Sequence, residues 1–120
     1  RRRINISKKG GIYFWLSAGS YIACPTIEAA AWECDGDWIG IDKNIVGLKN
    51  LRGLNLVPFL ISAHYAKRWR HIIEKGAKKT KLPIVVLTDK QAVLISGKST
   101  KIIGSGKKNI FNPSEALHLW

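Results

Sequence analysis

The sequence predicts a mixed α/β layer fold, a single mixed β-sheet flanked by helices, with elements in the order β-α-β-β-α-β-β. Three observations carry this expectation. Short runs rich in aromatic and β-branched residues flank one long segment of helical periodicity. The run from Leu82 to Thr88 is almost continuously apolar, as a strand buried on both faces is. The 46% hydrophobic content of 120 residues is enough for one packed core and one domain. A ferredoxin-like βαββαβ arrangement has nearly the same order, so the order alone leaves that alternative open.

The elements follow in turn. Residues 1–9 form a basic N-terminal arm. Gly10-Gly11 opens a strand from Ile12 to Ser17, and residues 18–20 read as a turn. Pro25 suits the first turn of a helix through IEAAAWE, which Asp35-Gly36 stops. Strands are predicted at Trp38–Ile41 and Ile45–Asn50, joined by a tight turn at Asp42-Lys43-Asn44. A helix is predicted from Ser62, as N-cap, to about Gly76, since Ala66, Trp69, Ile73 and Gly76 recur at three- and four-residue steps. The strand Leu82–Thr88, a turn at Asp89-Lys90 and a strand Ala92–Ser96 come next. Residues 97–120 read as a further strand, a basic loop and tail, and a short helix starting near Pro113.

Charge is distributed unevenly. The net charge is +12 and the pI about 10.1, which points to a polyanionic partner such as nucleic acid, DNA before RNA. Between Gly10 and Asp42 there is no Lys or Arg, yet five of the eight acids lie there: Glu28, Glu33, Asp35, Asp37 and Asp42. No window approaches the roughly 18 apolar residues that span a bilayer, and Arg1–Arg3 is not followed by a secretory h-region. No membrane association is therefore expected. Cys24 and Cys34 form no disulfide framework and match no zinc spacing with His64 and His71, so a reducing, cytoplasmic compartment is expected.

Carboxylates inside a basic body can hold Mg²⁺ or Mn²⁺ beside a phosphate backbone, and a nearby Lys can orient the attacking water. The predicted hairpin makes Asp37 and Lys49 neighbours. Four segments, GIYFWLSAGS (11–20), GDWIGIDKNIVGLKN (36–50), AHYAKRWRHIIEKG (63–76) and LPIVVLTDKQAVLI (82–95), together resemble the PD-(D/E)XK nuclease family, in particular its small Holliday-junction-resolvase-like branch. The resemblance covers about two-thirds of the chain, and its motif is short and degenerate.

That resemblance implies a restriction-endonuclease-like fold and a metal-dependent DNA endonuclease acting on branched DNA, and only from the family, a homodimer. It gives Asp37 the metal-binding role, Lys49 the catalytic role and Ser20 a phosphate contact. It fails at Gly47, where the family has a glutamate two residues before its lysine. Three explanations stay open: Glu33 or Asp35 serves as the second metal ligand, the glutamate was removed to trap an inactive protein, or the domain is a nuclease that keeps only its binding surface. Arg52, Lys67, Arg68, Arg70, Lys78, Lys79, Lys107 and Lys108 are the candidate nucleic-acid contacts. The alternatives are a non-catalytic RNA- or DNA-binding module of a larger assembly and, because YIACPTIEAAAWECDGDWIGI (21–41) is similar to a stretch of class III nucleotide cyclases, a truncated cyclase-like domain.

Other features weigh less. Trp15, Trp38 and Trp69 fall at expected core positions. The KSTKIIGSGKK segment lacks phosphate-loop spacing. Three histidines without a recognised Ser or Cys nucleophile pattern give no support to a hydrolase triad.

Overall fold

A computed structural model describes residues 10–34, 36–38 and 44–113. Two α-helices, α1 (Ala18–Ala23) and α2 (Arg70–Lys79), accompany seven short strands: β1 (Glu33–Cys34), β2 (Asp37–Trp38), β3 (Leu60–Ser62), β4 (Ile84–Val86), β5 (Gln91–Ser96), β6 (Ser99–Gly104) and β7 (Asn109–Phe111). The α/β class is as expected, but the single sheet is not. The strands form three sheets: a β1–β2 hairpin, a three-stranded β3-β4-β7 sheet, and a β5–β6 hairpin. The central sheet is mixed, since β3 runs parallel to β4 and β4 antiparallel to β7.

The core forms around that sheet. All three residues of β3 and all three of β4 are buried, as a parallel pair covered on both faces requires. Phe59, Ile72, Ile73 and Ile102 complete its inaccessible centre. Helix α2 contributes Ile72, Ile73 and Gly76 from one face. Gly76 is backed by Trp32: a Cβ there would lie 2.5–2.7 Å from three ring atoms.

Several expected elements differ. The turn expected at 18–20 is the first turn of α1, and the preceding residues 11–16 form no strand. The helix expected over 27–33 is a single 3₁₀ turn, Glu28–Ala31, because Trp32 is already extended. The hairpin expected between 38–41 and 45–50 is not formed where it is described: Asp37–Trp38 pairs back with Glu33–Cys34, and residues 45–50 hold no strand. There Asn44 closes a loop, accepting the Leu48 N–H at 2.6 Å and donating to the Leu48 carbonyl at 3.0 Å. Ser62 is no N-cap but the buried last residue of β3; α2 begins at Arg70, after a 3₁₀ turn at Lys67–Trp69. The β5–β6 hairpin was legible in part, and β7 stands where a basic loop was expected. The arm 1–9, Asp35, residues 39–43 and the short final helix beyond Pro113 lie outside the described residues.

Candidate active site

Ser17 sits between residues 11–16 and α1 with φ 49° and ψ −114°, a conformation that a residue with a Cβ adopts only under strain. Two backbone bonds lock the bend: Gly19 N–H to Leu16 O at 2.9 Å and Ser20 N–H to Ser17 O at 3.0 Å. The hydroxyl is thereby thrust outward at the start of a helix. Its Oγ lies 2.8 Å from His64 Nε2, and His64 Nδ1 lies 2.5 Å from Asp89 Oδ1.

The chemistry of the partners orients this chain. An ionised carboxylate can only accept, so Nδ1 must carry a proton, and in the neutral ring Nε2 is then an acceptor for the Ser17 O–H. A nucleophile, a base and an orienting acid are in line, in mutual hydrogen-bond reach.

The fold brings together residues 47 and 25 positions apart. His64 stands two residues after β3 and Asp89 three after β4, so both occupy the same end of a parallel pair. The pairing extends past the strands: Leu87 N–H donates to Ser62 O and Tyr65 N–H to Leu87 O, each at 2.9 Å. His64 itself holds a left-handed backbone, φ 59°. Helix α1 is fastened to β3 by two side chains. The Tyr21 hydroxyl accepts the Ala63 N–H and Cys24 Sγ accepts the Ile61 N–H, each at 3.2 Å. Burial pushes the Tyr21 phenol up from its ordinary value and the Cys24 thiol up to about 11, so both stay neutral. Cys24 is thus a structural thiol, its S–H directed at Ser20 O.

An open cavity of about 570 Å³ adjoins this site, lined by Tyr65, Ala66, Lys67, Arg70, Thr88, Lys107 and Asn109. Tyr65 and Thr88 are the chain neighbours of His64 and Asp89. The triad is open to solvent, with the His64 and Asp89 side chains 55% and 76% exposed.

Comparison with known proteins gives the chain a family. The family model described as "Peptidase family S51" matches residues 3–103. The chain belongs to that peptidase family. A relative named peptidase E, from Nostoc sp., is 39% identical over 61 residues, which are 51% of this chain and 21% of the relative. The crystal structure of a peptidase E candidate from Listeria monocytogenes superposes with a TM-score of 0.61 at 26% identity, over 82% of this chain and 46% of that one. The chain therefore spans less than half the length of the S51-related proteins it matches.

Membership of family S51 overturns the nuclease reading. The resemblance to PD-(D/E)XK enzymes, the metal-dependent endonuclease activity and its nucleic-acid-binding and cyclase-like alternatives give way to membership of a peptidase family. The site residues expected for that chemistry lie on several different elements. Lys49 is exposed in a segment without strand pairing, so among the described residues no hairpin sets it beside Asp37. Asp37 and Glu33 lie on β2 and β1, and Asp35 is outside the described residues. Gly47 has φ 66°, a backbone conformation that disfavours the glutamate expected there. Among the described residues no group of three or more His, Cys, Asp or Glu could hold a metal ion such as Mg²⁺ or Mn²⁺. Ser20 lies within α1, its N–H committed to Ser17 O. Lys67, Arg70 and Lys107 line the cavity beside the triad, whereas Arg52, Arg68, Lys78, Lys79 and Lys108 are exposed; Arg68 caps the Trp69 ring at 4.7 Å. No helix among the described residues is long and apolar enough to cross a membrane.

The histidine pattern gave no support to a hydrolase triad, whereas the structure brings Ser17, His64 and Asp89 together as a candidate one. Leu16-Ser17-Ala18-Gly19 retains the last four positions of the G-x-S-x-G elbow, with Trp15 in place of the first glycine. An aromatic, strand-like run ending in S-x-G before a helix was the available signal.

Proposed function

We propose that the chain carries the catalytic triad of a serine peptidase, with Ser17 as nucleophile, His64 as general base and Asp89 as the acid that orients it. The observation that carries this reading is the unbroken Ser17–His64–Asp89 hydrogen-bond relay on a strained serine just before α1. Oγ attacks the peptide carbonyl carbon as its proton passes to His64 Nε2. The carbonyl oxygen, now anionic, is stabilised by the Ala18 N–H, which opens α1 and occupies the position that elbow-type sites use for this purpose. The intermediate collapses, Nε2 returns its proton to the departing amine, and an acyl ester is left on Ser17. Water, deprotonated by Nε2, then releases the acid. Asp89 keeps the proton of the resting ring on Nδ1 and stabilises the imidazolium that forms.

Lys67, Arg70 and Lys107 around the adjoining cavity favour a substrate bearing an anionic group. Arg70 already pairs with Glu74 at 2.8 Å, which leaves the two lysines as the stronger attraction.

The test is covalent. Phenylmethanesulfonyl fluoride is incubated with the parent chain and with Ser17→Ala and His64→Ala, and the adduct is located by peptide mass spectrometry. A single adduct on Ser17 that depends on His64 is expected. An adduct on another serine, or labelling of Ser17 at the same rate without His64, would overturn the assignment.

A further inference from the structure

Asp89 sits on a turn with an unusual brace. Gln91 contacts that turn twice: its backbone N–H donates to Thr88 O at 3.1 Å, and its side-chain Oε1 accepts the Thr88 N–H at 3.1 Å. Thr88 Oγ1 accepts the Lys90 N–H at 3.3 Å, closing the turn around Asp89. The other end of the same amide reaches away from the turn. Gln91 Nε2 donates to Lys107 O at 3.1 Å and to Gly106 O at 3.4 Å. The 105–108 loop is held from two further directions, by Ser105 N–H on Lys90 O at 3.3 Å and by Asn109 Nδ2 on Lys107 O at 3.3 Å. Gly104 makes this close approach possible: with φ 105° it presents no Cβ where one would collide with the Lys90 carbonyl.

One amide therefore joins the turn that carries the acid to the loop that carries a cation of the cavity wall. We infer that Gln91 is a positioning residue, which sets Asp89 against His64 and Lys107 against the cavity as one unit. The inference rests on the triad assignment above. Neither end of the amide touches the reacting atoms; it acts through Asp89 on the rate and through Lys107 on the choice of substrate.

Two active-site reagents separate these effects without a known substrate. Phenylmethanesulfonyl fluoride, which is neutral, reads the triad. 4-(Fluorosulfonyl)benzoic acid, which is anionic, reads the triad and the cationic wall together. The ratio of their labelling rates at Ser17 isolates the wall. Gln91→Ala is expected to slow the neutral reagent and to lower the anionic-to-neutral ratio, the latter by up to roughly tenfold, the scale of one charge-assisted hydrogen bond. In a Lys107→Ala background the ratio should no longer respond to Gln91→Ala, because the two act in series. Gln91→Met, which keeps the length of the side chain and no hydrogen bond, guards against a folding defect and should behave as Gln91→Ala does; circular dichroism checks that each variant is folded.

A ratio unchanged in both folded Gln91 variants, or one that falls equally with and without Lys107, would overturn the inference. A parent chain that labels at Ser17 while the Gln91 variants match it in both rates refutes the positioning role and leaves the triad standing. A parent that does not label at Ser17 refutes the triad, and this inference with it.

Discussion

Replacing Asp89 by asparagine should slow labelling of Ser17, but by less than in a buried triad. The magnitude follows from the geometry. His64 Nδ1 and Asp89 Oδ1 are 2.5 Å apart, which sets the centres of an imidazolium and a carboxylate about 4 Å apart, where the attraction is about 1 kcal/mol in water and about 4 kcal/mol in a surface-like medium. The side chains are 55% and 76% exposed, so solvent screening places the value in the lower half of that range. At about 1.4 kcal/mol per decade, about 1–2 kcal/mol is a loss of roughly 5- to 30-fold. Asparagine adds a second effect: its NH₂ can donate to Nδ1 and hold the proton on Nε2, the tautomer that cannot accept from serine, which costs about 10⁴-fold when the ring is enclosed. In this open site the ring can turn away, so Asp89→Asn should lose about 10- to 1000-fold and Asp89→Ala, which has no tautomer preference, less. The assay is the pseudo-first-order rate of Ser17 sulfonylation at low salt and at about 1 M salt, where the screening length is about 3 Å and the parent's advantage should shrink. Rates for both variants within twofold of the parent would refute a role for Asp89. A loss near 10⁴-fold would refute the magnitude, since it requires a water-free site.

Three other perturbations test the scaffold. Tyr21→Phe removes the acceptor of the buried Ala63 N–H and should cost about 1–3 kcal/mol by urea unfolding, with slower Ser17 labelling because α1 loses one of its fastenings to β3; unchanged stability and rate would show that the fastening is immaterial. Gly76→Ala sets the about 1 kcal/mol gained in helix propensity against about 1–3 kcal/mol of overpacking, since the new methyl would meet Trp32 at 2.5–2.7 Å; a lower urea midpoint is expected, and a higher one would mean that Trp32 has room to move. The Cys24 thiol is raised by burial from 9.0 to about 11, so the folded state prefers the protonated form and its contribution is complete below the unfolded value. That contribution should be lost as pH rises from 9 to about 11, with Tyr21 adding in the same direction; alkaline urea titrations should show a shallower decline in Cys24→Ala, and an identical decline would remove the thiol as a cause.

Part of this was legible in the sequence for clear physical reasons. The β4 run reads as a buried strand because nearly every side chain from Leu82 to Leu87 is apolar, and all of Ile84–Val86 is buried. The β5 strand and the apolar face of α2, with Ile72, Ile73 and Gly76 inward, follow from period. The failures share a cause. Ser62 followed by a helical pattern looks like an N-cap, but parallel pairing of Leu60–Ser62 with Ile84–Val86 outweighs that local preference. The EAAA segment has high helix propensity, yet Trp32 leaves the helical region to enter the core. Asp37 and Lys49 seemed neighbours only on the premise of a hairpin that the described residues do not form.

The triad was hidden more deeply, because it depends on a backbone angle and on one pairing of distant strands. Apart from the partial S-x-G elbow, nothing in residues 15–19 reveals φ 49° at Ser17, and no local pattern places His64 or Asp89 near it. Strand β3 is the common reference for all three. On one side it meets β4 along three residue pairs, and two further backbone bonds carry that pairing to the residues flanking His64 and Asp89. On the other side it meets α1 through two side-chain acceptors, a phenol and a thiol. The His64–Asp89 leg is therefore written in backbone, which most substitutions preserve, while the Ser17–His64 leg adds side chains to the backbone bonds that residues 54–57 make to the end of α1. Relative placement of Ser17 is the part of the proposed site most exposed to sequence change, and two residues that help set it, Tyr21 and Cys24, lie in the core rather than at the surface beside His64 and Asp89.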